Sequence, residues 1–217
     1  MAVGILTPPP ARTLAPNRVV PWRCSVDDYE RMHATGILDP DLRTELLDGR
    51  IFVVPPAGAL HSSIVDRLNR LFTLGLQDGA IVRVQGQIPL SDWSYPAPDL
   101  SLLAPSEAFY AQHHPRPDQC LLFVEVSHSS LRRDREIKLP LHAAAAGILE
   151  TWIIDVKRRQ ILVHRDPAEG RYRRQATFGD GQCVSPQAFP DLLIAVEEVL
   201  GPVESGSDIP RQAQAPA

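Results

Sequence analysis

The chain has 217 residues, 44% hydrophobic and 22% charged, with a formal net charge of −4. That is enough for one sizeable core, and the acidic balance excludes nucleic-acid binding by bulk positive charge alone. Three cysteines, far apart and without a CxxC or Cys/His cluster, make neither a zinc site nor a disulfide framework. The longest apolar runs, such as residues 143–149, fall far below the roughly 18 residues that span a bilayer. The amino terminus has no basic region and too short an apolar stretch for a secretory signal. The expectation is a soluble, cytoplasmic protein with no membrane partner.

In chain order, residues 1–23 form a Pro-rich flexible segment, since five of the 21 prolines fall within 1–22. Ser25 followed by Asp28 predicts a capped helix that runs to Thr35 and stops at Gly36. Asp48-Gly49 between apolar runs predicts a hairpin over 44–54, ended by Pro55 and Pro56. Leu60, Ile64, Leu68, Leu71, Phe72 and Leu76 recur at helical spacing, so 60–76 is a long amphipathic helix ending near Gly79. Strands are predicted over 81–90 and 99–103. Residues 120–126 are continuously apolar, as in a strand buried on both faces. A helix follows over 134–146, then strands over 152–155 and 160–165 joined by the basic turn 157–159, and an edge strand over 171–178. From 201 the chain lacks an apolar period and reads as a disordered tail. With no internal repeat, the folded unit is one domain over 24–200, a mixed α/β sandwich.

Four charged positions stand out. Glu125 interrupts the apolar run 121–126, Asp99 opens a strand directly after Pro98, Lys138 lies on the following helix, and Glu45 precedes the Asp-Gly turn. A carboxylate in a buried strand costs several kcal/mol unless it is paired or ligates a cation. Two carboxylates at the ends of neighbouring strands can share one Mg²⁺, which takes about six oxygens and keeps several waters. A nearby ammonium can orient the attacking water or steady charge developing on a phosphate. Asp, Glu and Lys at one sheet edge therefore make an apparatus for metal-dependent phosphodiester hydrolysis. Against it stands a structural assignment: a cap or turn role for Asp99, a solvated Lys138, and an ion pair between Glu125 and a buried Arg.

The segments Glu45-Leu-Leu-Asp-Gly49, Ala97-Pro-Asp99, Val124-Glu-Val-Ser127, Asp134-Arg-Glu-Ile-Lys138 and Glu150-Thr-Trp-Ile-Ile-Asp155, in that order, resemble the Uma2 family of the PD-(D/E)xK nuclease superfamily. The resemblance covers residues 25–178. It implies a restriction-endonuclease-like core, a four-stranded mixed central sheet flanked by helices, and an endonuclease that hydrolyses DNA with Mg²⁺, or Mn²⁺ in its place. It implies that Asp99 and Glu125 bind the metal and that Lys138 and Glu45 complete the catalytic set. The superfamily's usual lysine stands two residues after the acidic one; here that position is Ser127, and the lysine is carried on the next helix as Lys138. Where the family commonly has Tyr four residues after the lysine, this chain has His142. The family often has His at the position of His61, so His61 is expected to face the site; its alternative is a local hydrogen bond near a helix start.

No Gly-x-Ser-x-Gly elbow accompanies 127–130, so a serine hydrolase is set aside and these serines are expected to leave the strand and cap the helix near Asp134. His113 and His114 fall in a Pro-rich loop and read as solvated. Residues 131–174 hold 11 Lys/Arg against six Asp/Glu. Such an excess can track phosphates. No recognition helix is visible, so DNA is the expected partner without strong base readout. A homodimer is compatible with the sequence. A catalytically silent nucleic-acid-binding or protein-interaction module with the same fold is the alternative function.

Overall fold

The computed structural model describes residues 19–202. Most of the expected Pro-rich segment and of the expected tail lies outside the described residues. Helix α1 (Val26–Ala34) begins at Ser25, whose hydroxyl accepts from the Asp28 backbone N–H while the Asp28 carboxylate accepts from the Ser25 N–H. This reciprocal cap satisfies two amide groups that the first helical turn leaves open. Strands β1 (Thr44–Leu47) and β2 (Arg50–Val53) pair around Asp48-Gly49. Both turn residues have positive φ, 50° and 74°, as a tight hairpin of the right twist requires.

Helix α2 (Ala59–Leu76) buries Ile64, Val65, Leu68, Phe72 and Leu76 on one stripe. The stripe covers one face of a six-stranded sheet ordered β3 (Ile81–Val84), β4 (Leu100–Leu103), β5 (Cys120–Ser127), β6 (Glu150–Asp155), β7 (Gln160–Ala168) and β8 (Arg171–Gly179). All neighbours pair antiparallel except β5 and β6, which are parallel and so need a crossover. The crossover is helical from 131 to 144: α3 (Leu131–Arg133), a π-helical stretch Asp134–Lys138, and α4 (Leu139–Ala144). The chain closes with a two-residue ladder of β9 (Cys183–Val184) and β10 (Ile194–Ala195), then α5 (Val196–Leu200), whose Val196, Val199 and Leu200 join the α2 core.

Side-chain alternation assigns the two sheet faces. Leu122, Val124 and Val126 of β5 meet α2 together with Trp152, Ile154, Ile161 and Val163. Phe123, Glu125 and Ser127 therefore point to the opposite face, beneath the crossover helix.

Three expectations are corrected. The central sheet has six strands, because β7 and β8 extend the expected four. The strand expected over 81–90 ends at Val84, because Gln85 turns at φ 52° and its N–H is taken by the Asp99 carbonyl. The serines of 127–130 do not cap the helix backbone: the Ser127 and Ser130 hydroxyls both donate to the buried Asp134 carboxylate, at 2.7 and 2.6 Å.

Candidate active site

The antiparallel register of β4 and β5 ends at Leu100 opposite Val124; one step further it sets Asp99 opposite Glu125. Residues directly opposed on one face have Cβ atoms about 4.5–5.5 Å apart. Asp99 is held at this edge by two contacts. Its Oδ2 accepts from the Val126 N–H at 2.8 Å, and its Oδ1 lies 3.1 Å from Nε2 of His61, in the first turn of α2. Arg43, just before β1, stands 3.9 Å from the same oxygen.

Lys138 is 2% exposed and its ammonium lies between two carboxylates, 2.8 Å from Oε2 of Glu125 and 3.1 Å from Oε1 of Glu45. Glu45 arrives from β1, where its Oε1 also accepts from the Ala97 N–H at 3.2 Å and so ties the hairpin to the segment entering β4. Glu125 thus pairs with a lysine, and the expected alternative of a core Arg partner for it is not what the chain builds. Behind Glu125, the His142 ring packs edge-on against Phe123 with Nε2 3.7 Å from Oε1 of Glu125, beyond hydrogen-bond distance. All four predicted residues, Glu45, Asp99, Glu125 and Lys138, together with His61, line one cleft of about 470 Å³ that Arg43, Ser130 and Arg133 also line.

Burial drives the Glu125 carboxyl well above its ordinary pKa, against the pull of Lys138. Burial would lower Lys138, but the Glu125 and Glu45 carboxylates outweigh it and hold the side chain as an ammonium. Asp99 is likewise opposed by its own burial, yet the His61 hydrogen bond and the Lys138 charge bring its pKa below the usual value. The Asp99 hydrogen bond raises His61, whereas burial and then Lys138 keep His142 neutral.

A buried carboxylate need not mark such a site. Glu150 is fully buried and accepts from Trp152 Nε1 and Arg165 Nε through Oε1 and from the Gln187 N–H through Oε2, so both of its oxygens are satisfied. In contrast, Oε1 of Glu125 and Oε2 of Glu45 are buried with no hydrogen-bond partner. Unpaired carboxylate oxygens suit a hard cation, and Glu45, Asp99 and Glu125 all line the cleft. Among the described residues no group of three or more His, Cys, Asp or Glu could hold a metal ion. Two carboxylates with room for water fit Mg²⁺, which keeps several waters, rather than zinc in a closed four-ligand site.

The family model of Uma2, described as "putative restriction endonuclease", matches residues 26–197. The chain belongs to the Uma2 family. Among solved structures it is similar to a protein from Anabaena variabilis described as a "putative nuclease belonging to DUF820", with a TM-score of 0.63 at 17% identity, covering 81% of this chain and 97% of that one. At that identity the likeness concerns the fold. A search of curated proteins finds no match. Among the described residues of this Uma2 chain, no helix is long and apolar enough to cross a membrane.

Part of the basic charge expected over 131–174 is paired where it stands. Arg132 pairs with Glu136, Arg133 faces Asp134, Arg158 pairs with Asp155, Arg159 with Asp180 and Arg165 with Glu150. Sequence reasoning left His61 undecided and passed over Arg43. His61 lies 38 residues from Asp99, and only the packing of α2 on the sheet brings them together.

Proposed function

We propose that this Uma2 protein is a Mg²⁺-dependent endonuclease acting on DNA in the cytoplasm, with Mn²⁺ as an alternative ion. The observation that carries the reading is the opposition of Asp99 and Glu125 on β4 and β5, with the Lys138 ammonium beside them in one cleft. Asp99 and Glu125 would hold the ion. When bound there, it neutralises phosphodiester charge and lowers the pKa of water. Lys138, kept protonated by two carboxylates, is a donor and not a base: it steadies charge on the scissile phosphate or orients the attacking water. The free Oε2 of Glu45 is the acceptor best placed to take a proton from that water. His61 fixes the orientation of Asp99, as an outer partner does for a metal-ligating carboxylate. Arg43, in the cleft lining, supplies positive charge for the DNA backbone without base readout.

The test is nicking of supercoiled plasmid by purified protein in Mg²⁺, Mn²⁺ or Ca²⁺. Cleavage is expected in the first two and absent from Asp99→Ala and Glu125→Gln protein. Equal cleavage by the Glu125→Gln variant, or none by the wild type in any ion, would sink the reading; DNA retained but never cut would leave the silent binding module.

A further inference from the structure

A second polar cavity opens on the same sheet face as the cleft. In the β5–β6 register Glu125 neighbours Ile153, and in the β6–β7 register Thr151 opposes His164. Since Thr151 and Ile153 share a face, so do Glu125 and His164. The crossover helix lies between them, presenting Lys138 to the cleft and Arg135 to the other side. There a cavity of about 260 Å³ is lined by Arg135, Arg158, His164, Gln160, Gln175 and Thr177, with Asp155 at its edge.

Three features mark it as a built site. His164 is only 3% exposed, yet neither ring nitrogen has a hydrogen-bond partner. A buried polar ring left unpaired is costly, so a ligand that pairs it recovers that cost. Arg135 makes no ion pair with any described residue, whereas the one carboxylate present, Asp155, is satisfied twice by Arg158, through its backbone N–H at 3.1 Å and its guanidinium at 3.0 Å. The lining is thus one positive charge in excess and rich in donors. Burial, with the Arg135 charge added, holds His164 down at about 4, so the ring is neutral and offers one N–H. The volume is below that of ordinary drug-sized pockets, which start near ~300 Å³.

We propose that this cavity binds a phosphoryl group, through the Arg135 guanidinium and the His164 ring. Guanidinium and planar N–H donors match phosphate oxygens in charge and geometry. The phosphoryl group has two sources of the same chemistry, a backbone diester of DNA lying across the sheet face or a terminal phosphate monoester.

The experiment follows the His164 ring nitrogens of ¹⁵N-labelled full-length protein by NMR while inorganic phosphate replaces chloride at constant ionic strength and in chelator. Saturable movement of the His164 signals is expected. Arg135→Gln, an exposed change, should weaken it roughly tenfold or more, as loss of a charge-assisted hydrogen bond does. His164→Leu should abolish phosphate binding measured by calorimetry, while Glu125→Gln should leave it intact and so separate this cavity from the cleft. Competition with oligodeoxynucleotides then assigns the source. Displacement of phosphate only by a 5′-phosphorylated strand identifies a monoester site, and equal displacement by phosphorylated and unphosphorylated duplex identifies a diester site. Unmoved His164 signals at tens of millimolar phosphate, or an Arg135→Gln protein that binds as well as wild type, would overturn the proposal.

Discussion

The Lys138 ammonium sits 2.8 Å from the Glu125 carboxylate, although the two residues come from different elements and Glu45 competes for the same ammonium at 3.1 Å. Two buried acids share one buried base. Removing the base leaves both acids without a counter-charge, and breaking a buried pair from one side costs about 3–5 kcal/mol. Lys138→Met should therefore destabilise the metal-free protein by that order. Glu125, already raised by burial, would lose the pull of Lys138 and titrate higher still, so the loss should shrink as pH falls and it protonates. Denaturant unfolding at pH 5 and pH 8 measures this; equal stability at pH 8 would mean the pair is not buried as described. Cleavage by the variant should fall about 10²–10³-fold, as for loss of one transition-state donor.

Removing an acid has the opposite sign. Glu125 has a folded pKa raised above its unfolded value, so its charge costs stability above the unfolded pKa, and the cost grows until pH passes the folded value. Glu45 still pairs Lys138 after Glu125→Gln. The variant should be as stable as wild type at pH 4 and more stable at pH 8, while Mn²⁺ binding measured by calorimetry disappears. A clear loss of stability at pH 8 would assign Glu125 a structural ion-pair role.

The His61–Asp99 contact should appear as a pH window. The raised folded pKa of His61 makes its contribution complete below the ordinary histidine value and lost as pH rises through the folded pKa. The lowered pKa of Asp99 makes its contribution present above the ordinary aspartate value and lost as pH falls through the folded pKa. Between these limits His61→Gln should cost about 1.5–3 kcal/mol, the range of a hydrogen bond to a charged group. Above the folded pKa of His61 the wild-type and variant stability curves should converge. Parallel curves from pH 5 to 9 would show that the pair does not titrate.

The cation in the cleft lining should matter more for DNA than those already paired on the helix. Arg43→Gln should weaken all duplexes alike and reduce the salt slope by about 0.9 for one lost phosphate contact. Arg132, exposed and tied to Glu136, should change binding less when replaced by Gln. Titrations with duplex DNA at several salt concentrations, in Ca²⁺, decide this. Asp99→Ala should still bind under these conditions.

Much of this site can be read from residue types. Glu125 announces itself because a charge breaks an apolar strand, and the Asp48-Gly49 pair announces the hairpin that carries Glu45. The strand beyond Val84 was illegible because Val84 to Leu90 keeps an alternating pattern while the chain pairs irregularly, Ile88 with Pro96 and Leu90 with Ser94. The β9–β10 ladder is two residues a side, too short to show any period. Glu150 and Asp134 resemble ordinary surface acids until Arg165 and the two serines are brought to them by folding.

The π-helical stretch has a consequence for how the lysine can be carried on a helix at all. Asp134, Lys138 and His142 are all buried, at steps of four residues. In a regular α-helix each such step drifts by about 40°, so the third residue would be about 80° off the line of the first. The wider turn from Asp134 to Lys138 runs the drift backwards and keeps the three in file. Wide turns of this kind differ from α-helix by one residue in the ladder. The reach of Lys138 into the cleft is thus a matter of helical phase as much as of side-chain identity, and shortening 135–137 by one residue would leave every functional group present but aimed past its partner.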